Sequence, residues 1–502
     1  MTTDRRSSPM RRATPSLVLV VLLGVFAAGC GTHVDPEIRR QAADALLSGG
    51  GGGGSGSSSG ADGASGPTQD GAVAGGDATV TDAGGTTSAT GGTSGGAATG
   101  GDPATSGAAG AGAPAPVGGN GGATDVGVTA DAITIGTVAS LSGPIPGLFE
   151  GAVNGTNAYV KYVNSTGGVY GRQLEIAVGD DQNECGANQN RYRDLSPKVF
   201  AFVGGFSVFD ECAARVMKPQ PKVPLVQYAL SGAANALPNL FSPQASVPGY
   251  ATGPFEYWTK KYGAKTKKVG TVYSQNAAAA DSHRAISAAA KSVGWEFIYE
   301  RGAASTEQDF TADIVRMRQD GVELVFLMAT TAQNAARIKR AADSQDFRPV
   351  WIVQVAYDQS FITFMGGPEA AEGVEGANLF SLYFGEDEAK RVPEVALYQQ
   401  WMKRNNPKAN LDVFSMYGWT SAKLFVQALK DAGPKATRAG LLASLKKVQD
   451  YDADGMLAPS GPAPKRPATC YVLWQIKGGK YVRVDTPATG YRCDGTYFRT
   501  GA

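Results

Sequence analysis

The chain has 502 residues, of which 42% are hydrophobic and 67 are glycine, so it could hold about two or three domains plus a long stretch that never folds. Its formal net charge is +1, from 46 basic and 45 acidic residues, which excludes the strongly basic surface typical of a nucleic-acid-binding protein. Only two histidines occur, His33 and His283, so the sequence offers little material for zinc sites or general-base catalysis.

Residues 1–30 have the pattern of an export signal. Four arginines precede an apolar run over 17–28, and small residues lead directly into Cys30. The run is too short to cross a hydrocarbon core of about 30 Å. The pattern resembles a bacterial lipoprotein signal, which implies that Cys30 is acylated and anchors the chain to the extracytoplasmic face of the membrane, at the cell surface or in the periplasm. An ordinary cleaved signal with a free Cys30 is the alternative, and Sec and twin-arginine export both stay open.

Residues 31–125 are predicted to form a disordered tether. From Ser48 to about Gly122 the chain consists mainly of Gly, Ala, Ser and Thr with scattered Asp. Such a segment cannot bury enough apolar surface to offset the entropy lost on ordering. A tether of this kind holds a folded domain near a membrane partner while letting it move away from the bilayer.

Beyond the tether, short β-rich runs alternate with segments of helical length. Strands are predicted over 133–139, 173–178, 199–203, 224–228, 268–273, 296–299, 324–328 and 350–354. Between them, apolar residues repeat at helical spacing, as in Phe310, Ile314 and Met317 before Gly321. A later stripe contains Tyr417, Leu424 and Phe425 before Gly433, and both stripes are interpreted as core. Strict alternation predicts parallel sheets with right-handed crossovers, and the number of strands suits two doubly wound lobes better than one.

The C-terminal part of the chain has a different pattern. Residues 471–476 and 481–484 flank two glycines, which predicts a β-hairpin because glycine readily takes positive φ. Four cysteines are left once Cys30 is set aside, an even number that is typical of an oxidising compartment. We expect Cys185 to pair with Cys212, and Cys470 to pair with Cys493 and clamp the base of the hairpin.

The loops that follow the strands of the first predicted lobe are candidate ligand contacts, because ligands bind beyond the carboxyl ends of parallel strands. Ser142 follows the first strand, Phe206 and Ser207 follow the third, and Leu230 and Ser231 follow the fourth. Small and hydroxyl-bearing residues let backbone amides bind a carboxylate or a carbonyl group. For each loop taken singly, an ordinary turn is the alternative.

Four stretches resemble the type I periplasmic binding proteins of branched-chain amino acid importers. They are ITIGTVASLSGP from Ile133, NSTGGVYGRQLEIAVGDDQ from Asn164, FVGGFS from Phe202 and QDFTADIVRMRQDGVELVF from Gln308. The resemblance covers roughly 133–450 and implies an α/β fold of two Rossmann-like lobes joined by three crossovers, with the ligand between them. The implied lobes are 126–253 with 378–455, and 254–377 with 456–502. The Cys185–Cys212 pair also resembles a bridge of that family.

The resemblance also implies contacts for individual residues. It places Ser207, beside Phe206, and the loop of Leu230 and Ser231 at a bound carboxylate. Phe149 would cover the side-chain end of the ligand. Thr330 and Tyr357 lie in the matching loops of the second lobe.

The chain departs from the family in the second lobe. A family tyrosine is replaced by the alanine run 277–280, and the acid that binds the ligand's ammonium group is replaced by Ala356 and Tyr357, with Asp358 one or two positions away. An unpaired buried ammonium group costs several kcal/mol. Either Asp358 therefore binds it, or the solute is neutral or aromatic and stacks on Phe149, Phe206 and Tyr357.

The sequence thus predicts a monomeric binding protein without cofactor or catalytic activity. It would capture an amino acid or a related amide or aromatic compound by lobe closure and deliver it to an ABC importer permease in the membrane. A ligand-sensing surface receptor of the same fold is the alternative. A serine hydrolase is a remote one, because 205–209 lacks one glycine of a nucleophile elbow and His283 would be the base for Ser207.

Overall fold

The computed structural model describes residues 112–500, apart from 145, 246–247, 305, 485–486 and 488–489. The predicted signal, the predicted acylation site Cys30 and most of the predicted tether therefore lie outside the described residues. Within the described part of the chain, no helix is both long enough and apolar enough to span a bilayer.

Four parallel strands form the first sheet, in the order β2-β1-β3-β4. They are β1 (Ala132–Ala139), β2 (Gln173–Asp180), β3 (Ala201–Val203) and β4 (Leu225–Val226). They alternate with α1 (Glu150–Ser165), α2 (Cys185–Leu195), α3 (Asp210–Met217) and α4 (Gly232–Asn235). Ile133, Ile135 and Val138 of β1 are all buried, because a strand covered by helices on both faces is apolar on both sides.

The second sheet has seven strands in the order β12-β11-β10-β9-β8-β6-β7, and its β6 to β10 are parallel. The chain reaches it through β5 (Gly249–Ala251) and α5 (Gly253–Tyr262). It then alternates through β6 (Val269–Ser274), α6 (Ala277–Ser292), β7 (Phe297–Ala303), α7 (Thr311–Gln319), β8 (Leu324–Leu327), α8 (Ala332–Ser344), β9 (Val350–Val353), α9 (Gln359–Met365), α10 (Pro368–Ala371) and β10 (Glu375–Asn378).

The chain then returns to the first lobe and ends in the second. The returning helices are α11 (Glu386–Arg391), α12 (Pro393–Asn405), α13 (Val413–Ala432) and α14 (Arg438–Leu445), followed by the hairpin strands β11 (Val472–Lys477) and β12 (Lys480–Arg483) and by β13 (Tyr497–Arg499). All eight predicted strands and the hairpin are confirmed to within a few residues. The sequence analysis missed β5, β10 and β13. β5 pairs with β13 of the second lobe, so the boundary predicted at 253 lies slightly too late.

The first lobe is completed by α13, which packs tightly on α1. A Cβ atom on Gly155 would lie 1.8 Å from the carbonyl oxygen of Ser415, and one on Gly418 would lie 2.1 Å from that of Ala152. Only glycine lets the two helix backbones approach this closely. Leu424 of the predicted helical stripe is buried in the core, as expected.

Both predicted disulfides are present. Cys185 and Cys212 join the start of α2 to α3, and Cys470, two residues before the first hairpin strand, is joined to Cys493 of the C-terminal segment. Tyr471 pairs with Arg492 beside the second bridge. This bridge therefore fixes the C-terminal segment to the start of β11.

The end of the predicted tether packs on the first lobe, which corrects the boundary predicted at 125. The buried Arg172 donates hydrogen bonds to the carbonyl oxygens of Asn120 and Gly122 at 2.7 and 2.8 Å. Asp125 accepts a hydrogen bond from the amide of Arg438 at 2.7 Å. Glycine-rich composition does not reveal that these backbone carbonyls satisfy a buried cation.

Three crossovers join the lobes, and a single side chain links them. Gln244 lies on the first crossover, and its Nε2 donates to the carbonyl oxygen of Leu379 on the second at 2.7 Å and to that of Ala458 on the third at 3.1 Å. Phe380 and Leu457 form a β-bridge next to these contacts. These three crossovers form the hinge, and the hydrogen bonds of Gln244 hold them together.

Replacing Gln244 by leucine is expected to lower the free energy of unfolding by about 1 to 3 kcal/mol, because the buried carbonyl group of Ala458 loses its side-chain donor. The carbonyl group of Leu379 loses one of its two donors and keeps the Ala458 amide. Urea unfolding followed by tryptophan fluorescence measures this change. Gln449→Leu is the control, because Gln449 is exposed and its side chain donates to the carbonyl oxygen of Lys446 in the same turn. Equal stability of the two variants would contradict the linking role of Gln244.

Candidate ligand-binding cleft

Five aromatic rings meet at the carboxyl edge of the first sheet, and we name them the aromatic patch: Phe149, Phe206, Tyr228, Phe414 and Tyr417. The ring centroids of Phe149, Phe206 and Phe414 lie 4.7 to 5.0 Å apart. Tyr417 stacks on Tyr228 at 3.8 Å. The patch presents a continuous apolar surface just beyond the strand ends, where a doubly wound sheet binds its ligand.

The structure brings together Phe149 and Phe206, which the sequence analysis selected, and adds two residues that it missed. Phe414 and Tyr417 lie in the first turns of α13 and are half-buried, whereas the other three rings are buried. They are therefore the rings that can offer contact area to a ligand. Tyr417 belongs to a helical apolar stripe that was interpreted entirely as core.

Two of the three predicted serine hydroxyl groups of this edge are already bound to the chain's own carboxylates. Ser207 Oγ donates to Asp181 and accepts the amide of Phe209 at 3.0 Å. Ser142 Oγ donates to Asp180, which also accepts the Ser142 amide at 3.2 Å. Both serines stabilise loops at the strand ends.

The amides of Leu230 and Ser231, predicted to hold a ligand carboxylate, are also occupied. Both donate to the carboxylate of Asp210, with the Leu230 amide 2.6 Å from Oδ2. Ser231 Oγ accepts the amide of Ala234 at 3.1 Å and caps α4. Burial raises the pKa of Asp210, because water no longer solvates its charge. The predicted contacts of Leu230 and Ser231 are thus made to an internal carboxylate.

In the second lobe, Tyr357 is not arranged as predicted. It is 6% exposed, and its ring lies among those of Phe380, Tyr383, Phe384, Trp474 and Tyr481 at 4.7 to 5.9 Å. Its hydroxyl accepts the amide of Phe384 at 3.2 Å. A ring enclosed in this way packs the core beside the hinge. We therefore correct its predicted stacking role, which rested on its place in a loop that matches the family's.

Asp358 and Thr330 lie at the carboxyl ends of their strands as predicted, and both are half-buried. Asp358 caps α9 by accepting the amide of Ser360 at 2.8 Å. Thr330 lies beside Thr331, whose hydroxyl caps α8. Each is placed where a ligand in the cleft could reach it.

Asp412 of the first lobe lies close to Asp358 of the second. It caps α13 by accepting the amide of Ser415, and its own amide donates to the Ser415 hydroxyl at 3.0 Å. Burial, with a smaller contribution from the nearby charge of Asp358, raises the pKa of Asp412 to about 6, although hydrogen bonds from Ser415 partly oppose the rise. The carboxyl edges of the two sheets therefore face each other, with an acid on each side.

The Asp412→Asn variant is expected to gain stability relative to the wild type as the pH rises from about 4 to 6.5. The pKa of Asp412 is about 6 in the folded protein against an ordinary 3.8. In this window the folded state binds more protons than the unfolded state, so the wild-type free energy of unfolding falls as the pH rises.

Urea titrations of both proteins across this pH range measure the difference. Asparagine keeps a side-chain oxygen for the cap but does not titrate. Asp431→Asn, an exposed site at the other end of the same helix, is the control and should show a constant difference from the wild type. A difference for Asp412→Asn that shrinks with rising pH would contradict the assignment.

The structure does not form the serine hydrolase arrangement in which His283 would act as the base for Ser207. His283 stacks on Tyr273 with centroids 4.0 Å apart, and its Nε2 lies 2.9 Å from Glu300 Oε2. Ser207 lies in the other lobe from His283, and there its hydroxyl group donates to Asp181. Among the described side chains, no three His, Cys, Asp or Glu residues are placed to hold a metal ion.

The chain is similar to several known proteins. A family model described as periplasmic binding protein matches residues 132–480. The Leu/Ile/Val-binding protein homolog 3 of Brucella melitensis biotype 1 is 22% identical over 222 residues, which are 42% of this chain and 58% of that relative. The match thus spans little more than half of the relative's length.

Two solved structures are also similar. One is a fatty acid ABC transporter substrate-binding protein from Thermomonospora curvata, with a TM-score of 0.60 and 20% identity over 76% of this chain and 97% of that one. The other is a branched-chain amino acid ABC transporter from Thermus thermophilus with bound valine, with a TM-score of 0.59 and 18% identity over 72% and 97%. At these identities the likeness concerns the fold.

Proposed function

Because the chain belongs to the periplasmic binding protein family, we propose that it captures a small molecule outside the cytoplasm and delivers it to an ABC importer in the membrane. The observation that carries this proposal is the aromatic patch at the carboxyl edge of the first sheet, opposite Asp358 of the second. A concave, mostly apolar surface with a few polar groups is the usual form of a small-molecule site.

Binding works by closure. The solute first packs on the aromatic patch, and the second lobe then rotates about the three crossovers onto it. The closed form is stabilised only by contacts that the ligand makes with both lobes, because a ligand bound equally well to open and closed forms shifts no population. Asp358 and Thr330 are the second-lobe side chains in reach of such a ligand. The importer permease then recognises the closed form.

The ligand is an amino acid or a related amide or aromatic compound. The rings of Phe414 and Tyr417 supply apolar contact area, and similar proteins carry names that refer to valine and to fatty acids. Micromolar affinity requires a net binding free energy of about 8 kcal/mol. One apolar body packed on two rings, together with a few hydrogen bonds, can supply this.

A thermal-shift screen of amino acids, amides, aromatic acids and fatty acids tests the proposal. A ligand at 100 times its Kd stabilises the folded state by about 2.7 kcal/mol, which raises the melting temperature by a few degrees. Deletion of the gene should then abolish uptake of the same compound. Unchanged uptake would favour a sensor, and no shift with any class would contradict the cleft.

Membrane anchoring through a lipid on Cys30 is the second part of the proposal, and the export pattern of residues 1–30 supports it. Metabolic labelling with radioactive palmitate should label the wild type but not Cys30→Ser. The variant should be found in the soluble extracytoplasmic fraction. Equal membrane retention of both forms would overturn the anchor.

A further inference from the structure

Three of the chain's own carboxylates accept the hydrogen bonds of the amides and hydroxyls that could bind an anion in the first lobe. Adjacent backbone amides and hydroxyls at strand ends ordinarily bind anions. Here the Leu230 and Ser231 amides go to Asp210, the Ser207 hydroxyl to Asp181, and the Ser142 amide and hydroxyl to Asp180. The donors are those predicted for a ligand carboxylate, and the chain satisfies each of them itself.

Asp210 has the geometry of a bound anion. Both of its oxygens accept a hydrogen bond from the Ser231 amide, at 3.1 and 3.2 Å. One of them also accepts a hydrogen bond from the Leu230 amide at 2.6 Å. Its residue is 4% exposed. A ligand carboxylate would have to displace it from two amides or lie beside it, where like charges repel.

The charge around the cleft also disfavours binding of a ligand carboxylate. Five aspartates lie along its two edges: Asp180, Asp181, Asp210, Asp358 and Asp412. Among the residues that the structure describes, none of them forms an ion pair with Lys, Arg or His. The cleft therefore carries uncompensated negative charge, which raises the free energy of any anion that enters it.

We propose that Asp210 is a built-in carboxylate that excludes carboxylate ligands from the cleft. The solute is then an uncharged or cationic molecule with an apolar body, such as an amide or an amine, packed on the aromatic patch. This inference rests on the proposed binding function and narrows its ligand class, because it removes free amino acids bound through their carboxylate and removes fatty acids.

Matched ligand pairs test the inference by isothermal titration calorimetry at pH 7.5. The pairs are leucine and leucinamide, phenylacetate and phenylacetamide, and octanoate and octanamide. In each pair that binds, the wild type should bind the amide at least tenfold more tightly than the carboxylate. Asp210→Ala frees both amides and removes the charge, so it should shift this ratio at least tenfold toward the carboxylate.

Asp210→Asn is the second variant, because it keeps an oxygen that can accept the two amides and therefore protects the fold if alanine does not. It removes only the charge and should shift the ratio in the same direction by a smaller factor. Glu211→Ala, an exposed acid on the next residue, is the control and should change the ratio less than either Asp210 variant does.

The outcomes separate the two proposals. A wild type that prefers the carboxylates, or a ratio that neither Asp210 variant changes, overturns the role of Asp210 and leaves the binding function standing. Absence of binding by every pair, in the wild type and in both variants, contradicts the binding function and this inference with it.

Discussion

Replacing Arg172 by methionine is expected to lower the free energy of unfolding by at least about 3 kcal/mol, because four carbonyl groups lose one charged donor. The side chain is fully buried. Its nitrogens donate to the carbonyl oxygens of Thr129, Asn120, Gly122 and Pro434 at 2.7 to 2.8 Å. It thereby joins the end of the predicted tether, the turn before β1 and the turn after α13.

Urea unfolding followed by tryptophan fluorescence measures this loss. Arg316→Met is the matched control, because Arg316 is exposed and, among the described residues, forms an ion pair only with Asp320 one helical turn away. Such surface pairs contribute about 0 to 1 kcal/mol. A loss at Arg172 no larger than that at Arg316 would show that water replaces the guanidinium without penalty.

Removing the ring of Tyr417 is expected to weaken binding of the ligand found by the screen by roughly 30- to 1000-fold, or about 2 to 4 kcal/mol. Tyr417 is half-buried on the cleft side of the patch, and its stacking on Tyr228 at 3.8 Å fixes its orientation. A rigid, partly exposed ring of this kind is a typical binding hot spot. Tyr417→Phe keeps the ring and should bind within a few-fold of the wild type.

The control is Tyr162→Ala, because Tyr162 is also a half-buried ring and stacks on Trp419, but lies near the C-terminal end of α1. Both variants lose similar packing, so a loss of stability alone would affect them equally. Calorimetric titration of both with the same compound separates the two effects. Undiminished binding by Tyr417→Ala would remove the aromatic patch from the site.

Strand and helix positions could be predicted from the sequence because burial leaves a local periodic signal. Each of the eight predicted parallel strands contains a run of apolar residues. β10 gave no such signal, because Glu375–Asn378 has the composition of a loop and becomes a strand only through pairing with its neighbours β9 and β11. β5 and β13 were missed for the same reason, since each depends on a partner more than 200 residues away.

The site was only partly predictable. Loop position selected Phe206 and Ser207, because all strand ends of a parallel sheet meet at one edge, whereas Phe149 was selected from the family resemblance. It did not identify Phe414 and Tyr417, which reach that edge from a helix that returns from the other lobe. Nor could it show that Tyr357 is enclosed by other rings.

By itself, the sequence determined the α/β class, the alternation of strands and helices, the two disulfide pairs and the sheet edge at which we propose that a ligand binds. The tertiary structure alone decided which group satisfies each donor. These polar contacts join residues that are far apart in the sequence. Asp210 accepts the amides of Leu230 and Ser231, Arg172 donates to four carbonyl groups, and Gln244 donates to two crossovers. Hydrophobic periodicity reports whether a residue is buried, but a polar contact depends on where the fold places its partner.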